Sequence, residues 1–154
     1  MFLLFGHLTE RKGVLKLLES IKQIDSDALA MCSFFLCGRV DKSIQKPTHN
    51  LISELAYLGK DKCIHIVDDF LNDEEIWWLI DNCHLILIPY QRHPGSSGVL
   101  SWAATAGKPV LSESFGLVGH EVKKWGLGLT ADTSNPEAIA SALTFFIRNG
   151  FEQN

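Results

Sequence analysis

Ile88 to Val110, IPYQRHPGSSGVLSWAATAGKPV, is the stretch on which the reading of the fold turns. Its lead-in, Leu85 to Pro89, is a continuous apolar run of the kind buried on both faces of a parallel sheet. A loop rich in Pro, Gly and Ser follows, an apolar helix opens near Gly98, and Gly107-Lys108-Pro109 returns the chain to a strand at Pro109 to Ser112. Strand, loop, helix and strand in that order make one unit of a parallel α/β sheet. Ligands of such sheets bind where loops leave the carboxyl ends of strands. A helix start offers free amides and a partial positive charge to an anion. Ser96, Ser97 and Gly98 stand at that start with no bulky side chain in the approach, and Val99 continues it. These four are candidate phosphate binders, chiefly through main-chain amides. A plain helix cap uses the same residue types, and the two roles coexist when the cap faces a cleft.

The same alternation extends in both directions. Phe2 to Phe5 reads as a buried strand, and Gly13 to Ile24 as an amphipathic helix with Val14, Leu17, Leu18 and Ile21 on one face, ended by Asp25 to Asp27. Met31 to Cys37 is a second strand, Lys42 to Pro47 a loop, and Leu51 to Leu58 a helix stopped at Gly59. Cys63 to Val67 is a third strand. Asn72 caps the next helix, with Asp73, Glu74 and Glu75 in its first turn and Ile76, Leu79, Ile80 and Cys83 on its apolar side. His84 to Pro89 is the fourth strand. Beyond the fifth come a short helix, Gly119 to Trp125, and a sixth strand, Leu127 to Thr130. Ser134 then caps a last helix with Pro136 and Glu137 in its first turn and Ala138, Ile139, Ala142, Phe145 and Phe146 buried. Alternation of this length predicts an α/β fold, a doubly wound, mostly parallel Rossmann-like sheet of about six strands, too few for a closed barrel. No linker or repeat divides the chain, so residues 1–154 are expected to form a single domain.

The net charge of −4 argues against a basic surface for nucleic acid, so any phosphate must be met locally by loops and single lysines. Cys32, Cys37, Cys63 and Cys83 form no C-x-x-C pair and read as reduced core residues of a cytoplasmic protein, with no metal role. The opening MFLLF is too short for a signal-peptide core, and no run approaches the ~20 apolar residues of a membrane span.

Three segments together resemble one family. They are FGHLTERKGVLKLLESI (Phe5 to Ile21), DDFLNDEEIWWLIDNCHLILIPY (Asp68 to Tyr90) and SSGVLSWAATAGKPVLSESFGLVGHEV (Ser96 to Val122). In order and spacing they resemble the C-terminal half of a GT-B glycosyltransferase of the retaining family 4 type, in a branch using Pro-Tyr and Ser-Gly-Val. The resemblance spans about Phe2 to Ile147. It implies a domain that holds the nucleotide diphosphate of a sugar donor, with the acceptor held by an N-terminal half that this chain lacks. The abrupt start inside a strand accords with that. A nucleotide sugar is the implied partner, no cofactor is implied, and peripheral membrane association would belong to the parent enzyme. Turnover by the isolated chain is not expected.

Carried over residue by residue, the resemblance puts the ammonium of Lys12, before Gly13, on the donor diphosphate. The bland alternative is a solvated lysine in a charged turn. His7, after Gly6, stands where the family often has an arginine clamp; either Arg11 substitutes, or His7 takes the charge, or the clamp is weaker. The family's spaced pair of glutamates falls on Pro94 and Trp102, so both carboxylates are missing and Trp102 can only pack or stack. Glu121 matches a glutamate near the donor, its preceding glycine pair reduced to Gly116. Phe70 is placed to flank a base, with Arg39 after Gly38 as a neighbour. His84 and Trp77 read as structural, with Trp77 or its neighbour Trp78 facing outward. The competing readings are a degenerate, non-catalytic binding module of the same fold and an unrelated doubly wound domain. A receiver would need an acidic pair after its first strand, and a flavodoxin-like site a phosphate loop less charged than HLTERKG.

Overall fold

Short apolar runs become strands here because helices cover both their faces. The computed structural model, which describes residues 1–150, contains β1 (Phe2–Phe5), β2 (Phe34–Cys37), β3 (Ile64–Val67), β4 (Leu85–Ile88), β5 (Val110–Glu113) and β6 (Gly128–Ala131). They form one six-stranded sheet in the order β3-β2-β1-β4-β5-β6, and every pairing is parallel. The helices are α1 (Val14–Ile21), α2 (Ser26–Leu29), α3 (Lys42–Tyr57), α4 (Asp73–Asn82), α5 (Gly98–Thr105), α6 (Gly116–Trp125) and α7 (Pro136–Asn149).

Alternating strand side chains feed two cores. Phe2, Leu4, Phe34, Leu36, Leu85, Leu87 and Leu111 pack with residues of α1, α2, α3 and α7 on one face. Leu3, Phe5, Cys37, Ile86, Ile88 and Val110 pack with residues of α4, α5 and α6 on the other. Phe2 meets Phe34 and Phe146 edge to face at 5.3 and 5.5 Å. Crossovers that start at β1 and β2 therefore use one face and those that start at β3, β4 and β5 the other, so the winding reverses beside β1. Among the described residues, no helix is long and apolar enough to cross a membrane.

Local chemistry accounts for the departures from expectation. Lys42 to Pro47 is not a loop: α3 begins at Lys42, capped by the Asp41 carboxylate on the Ser43 amide at 2.9 Å. Pro47 removes one amide from that helix, and buried Ile44 and Leu55, packed with α1 in the first core, compensate. Asp25 does not merely end a helix but caps the short α2 through the Ala28 amide at 2.8 Å. The second strand starts at Phe34 rather than Met31, which is exposed. α6 opens three residues early, at Gly116. Ser134 does not cap α7; its hydroxyl bonds Asp132 at 2.6 Å and the cap passes to Asn135, which accepts from the Glu137 amide. Phe145 is 54% exposed, because the buried stripe of α7 is Ile139, Ala140, Leu143 and Phe146.

Asn72 caps α4 in a reciprocal box with Glu75. His84 accepts the α-ammonium of Met1 at Nδ1, 2.9 Å away, a structural contact at the amino edge of the sheet.

The loops after β1 and β4 are joined directly. The Gln91 amide donates to the Arg11 carbonyl at 2.8 Å. Gly13 precedes α1 at φ 79°, and a Cβ there would lie 1.8 Å from the Pro89 carbonyl oxygen. Gly13→Ala should therefore cost about 1–3 kcal/mol for the forced contact and about 1 kcal/mol more for the left-handed backbone. Urea denaturation should show a midpoint falling accordingly with little change in slope.

Candidate functional site

The carboxyl edge of the sheet at β1 and β4 gathers most of the chemistry-bearing residues. Gly6 ends β1, and the following turn brings Lys12 back over it. The Lys12 ammonium donates to the Phe5 carbonyl at 3.0 Å, and a Cβ on Gly6 would sit 2.5 Å from Nζ. Among the described residues, Lys12 makes no ion pair with a carboxylate. Burial pushes its pKa down to about 8, with the neighbouring Arg11 charge adding to the shift. Its Nζ also lies 5.8 Å from the Tyr90 ring centroid, within reach of the aromatic face.

Tyr90 connects this ammonium to the start of α5. Its hydroxyl is 3.0 Å from Ser97 Oγ, and both residues are buried. Burial raises the Tyr90 pKa, so the phenol stays neutral at physiological pH. Ser97 Oγ also accepts the Leu100 amide at 3.3 Å as the cap of α5. The Ser97 hydroxyl is thus committed within the protein. The amides of Gly98 and Val99, the first two helical residues, stand outside the intrahelical ladder. Gly98 is exposed and a Cβ there would meet nothing within 4 Å.

A second group of candidates lines one cleft of about 400 Å³ beyond β1 and β2, where Gly6, His7, Gly38, Arg39, Phe70 and Ile76 meet. Phe70 is 72% exposed and forms an unpartnered aromatic wall. The Asp68 carboxylate ties the β2 and β3 loops together through the Val40 amide at 2.8 Å. His7 turns toward Asp41, with Nε2 3.6 Å from Oδ2. The Asp41 pKa is lowered chiefly by the Ser43 hydroxyl and amide, with His7 the least contributor.

Arg11 faces the loop after β4 instead. Its guanidinium lies 5.5 Å from the Tyr90 ring centroid, and Nη1 donates to His93 Nδ1 at 3.2 Å. His93 Nε2 donates to the Ser96 carbonyl at 3.0 Å. These two bonds specify the tautomer of the ring: proton on Nε2, lone pair on Nδ1.

Two candidates lie apart from these groups. Trp102 packs in the second core, its ring 4.7 Å from that of Trp77 and 6.4 Å from that of Phe5. Glu121 sits on the second turn of α6 and is not part of the cleft wall. Pro94 is exposed on the loop, and its carbonyl accepts the Leu117 amide at 3.2 Å. No carboxylate replaces the missing pair at either position.

Motif reading did not single out His93 or Glu113. Nothing marks His93 in the sequence. Glu113 had a signal, since a carboxylate in the apolar run VLSE at the end of an interior strand is anomalous. It is 1% exposed, both its oxygens lie 3.2 Å from the His93 amide, and burial raises its pKa.

This architecture is that of one domain of a GT-B glycosyltransferase. The family model for glycosyl transferases group 1 matches residues 1–154, and the chain belongs to that family. Among solved structures it is similar to Anabaena HepE in complex with UDP, at 19% identity and a TM-score of 0.78, over 96% of this chain and 39% of that one. It is similar to the sucrose-phosphate synthase of Thermosynechococcus elongatus at 17% identity and a TM-score of 0.76, over 97% and 36%. The C-terminal domain of LpcC from Francisella tularensis gives 15% identity and a TM-score of 0.77, over 96% and 75%. The chain thus spans well under half of the first two relatives. A search among curated proteins gave no match.

The charge state of Lys12 is directly measurable. NMR titration of its side chain should give a value near 8, and Arg11→Ala should move it only part of the way back toward 10.5, because burial is the larger cause.

Proposed function

We propose that this chain is the donor-binding half of a glycosyltransferase, holding the nucleoside diphosphate of a sugar nucleotide. One observation carries the reading. A half-buried ammonium, Lys12, has a carbonyl and an aromatic face for neighbours and no carboxylate, and it stands at the edge where α5 begins. Such a cation is an anion site awaiting its charge. The open amides of Gly98 and Val99 offer a second contact to the same phosphates, and Ser96 and Ser97 shape the approach. The cleft walled by Gly6, His7, Arg39 and Phe70 suits the nucleoside, with Phe70 against the base. HepE, of similar fold, was solved with UDP and with UDP-glucose, which supports a uridine nucleotide as the first to try.

In glycosyl transfer the diphosphate is the leaving group, and positive charge held against it stabilises the developing anion. Lys12 is the residue for that task. Arg11, rather than His7, is the second cation of the turn, and its guanidinium is engaged with the loop that presents α5. The acceptor would be held by a separate N-terminal half, as the short span of this chain against HepE suggests.

A second reading, donor binding without transfer, is favoured by one fact. Pro94 and Trp102 occupy the positions of the family's glutamates, and Trp102 is consumed in packing against Trp77. Sugar release from UDP-glucose by the isolated chain would exclude it.

Calorimetric titration with UDP, GDP and ADP tests the main reading. One of them should bind in the micromolar to low-millimolar range. Lys12→Ala should cost about 1.5–3 kcal/mol for a lost charged hydrogen bond, roughly a 10- to 150-fold weaker Kd. No binding of any of the three to the wild-type chain would overturn the proposal.

The pH dependence has a fixed sign. The folded value of Lys12 is lowered, so the ammonium is lost as pH rises through about 8 and affinity falls with it. Bound phosphate raises that value, so binding near that pH should take up protons, measurable by calorimetry in buffers of different ionisation enthalpy. Fold stability moves the other way. The penalty of the buried charge is present below about 8 and is relieved as pH rises from there toward 10.5. Lys12→Arg keeps the charge and should flatten the affinity profile.

A further inference from the structure

Glu113 is the one buried carboxylate among the described residues, and nothing in the motif pattern assigns it a role. It stands at the carboxyl end of β5, beneath the loop that runs from Tyr90 to Ser97. Both its oxygens lie 3.2 Å from the His93 amide, and the Arg92 main-chain amide also faces the carboxylate. It has no ion-pair partner within 4.0 Å among the described residues. The charged and titratable groups around it are His93, Arg11 and Tyr90. A buried carboxylate partnered only by main-chain amides is a poor stabiliser of a fold, because desolvation outweighs what they return.

What the carboxylate does hold is the loop. The loop leaves its regular course at Arg92, the one non-glycine residue at positive φ (50°) among the described residues. Glu113 grips the next amide. The His93 ring then fixes the Ser96 carbonyl through Nε2 and Arg11 through Nδ1. Ser96 leads directly into Ser97, Gly98 and Val99. A continuous set of contacts therefore runs from the end of β5, through His93, to the helix start that carries the open amides.

We propose that Glu113 is a positioning residue: its carboxylate clamps the His93 main chain and thereby sets the Ser96–Val99 amides for the donor phosphates, without touching the donor. The proposal rests on the donor-binding reading for its ligand. The clamp reaches the loop from the neighbouring strand, β5.

The test is Glu113→Gln, with Glu113→Ala beside it, each titrated with UDP, GDP and ADP and followed by amide NMR. Charge alone predicts that removing a buried anion near a phosphate ligand tightens binding. Positioning predicts the reverse, because the glutamine amide brings a donor against the Arg92 and His93 main-chain donors. We expect Kd to rise roughly tenfold in Glu113→Gln, the worth of one charged hydrogen bond, while the denaturation midpoint holds or rises. The His93 amide should move upfield, with shifts spreading to Gly95 through Val99. Unchanged affinity, tighter binding, or loop amides that stay in place would overturn the proposal. If the wild-type chain binds none of the three nucleotides, the donor reading fails, and the loop amides of the two variants alone decide whether Glu113 positions the loop.

Discussion

The reversal of winding beside β1 is the constraint on which the rest depends. Right-handed crossovers from β1 and β2 must use one face of the sheet. Crossovers from β3, β4 and β5 run in the other direction and so use the opposite face. The helices that follow β1 and β4 therefore lie on opposite faces, and the loops leading into them meet at the carboxyl edge. Lys12 and the start of α5 are the two groups that this geometry brings to that edge. Neither could reach the other if β1 and β4 were not sheet neighbours.

The two loops are joined by polar contacts as well as by packing. Gly13 lets α1 begin against the Pro89 carbonyl, and the Gln91 amide crosses to the Arg11 carbonyl. Gln91 also donates to the Thr133 carbonyl, and the Thr133 hydroxyl donates to the Tyr90 carbonyl at 2.6 Å, so the loop before α7 is tied in as well. Three separate turns thus share one small network around Tyr90. Such networks specify geometry when every member is satisfied.

The electrostatics of the edge are unbalanced by design of the fold. Burial destabilises the charges of both Lys12 and Glu113, and neither has an opposite charge at ion-pair distance among the described residues. An arrangement that served stability alone would pair them or replace them with apolar side chains. Lys12 is partly exposed at the edge, whereas Glu113 is sealed beneath the loop. Their environments differ accordingly: the Lys12 ammonium meets the Phe5 carbonyl and the Tyr90 ring, and the Glu113 carboxylate meets the His93 amide.

Local pattern sufficed for the elements and their order. Apolar runs, the Asn72 cap, Gly59 and the helix start at Ser97 are readable because each depends on neighbours in the chain. The class of sheet followed, because alternation of strand and helix admits few topologies. The placement of Lys12 and Ser97 at strand ends was readable for the same reason. Tertiary structure alone decided the remainder. α3 swallowed Pro47 because packing against α1 outweighed a local propensity, and Phe145 faced outward because the angle at which α7 meets the sheet selects its buried stripe. His93 and Glu113 meet across 20 residues of sequence separation, and Arg11 meets His93 across 82. Contacts of that kind leave no periodicity to read; they exist only once parallel strands have carried distant loops to the same edge.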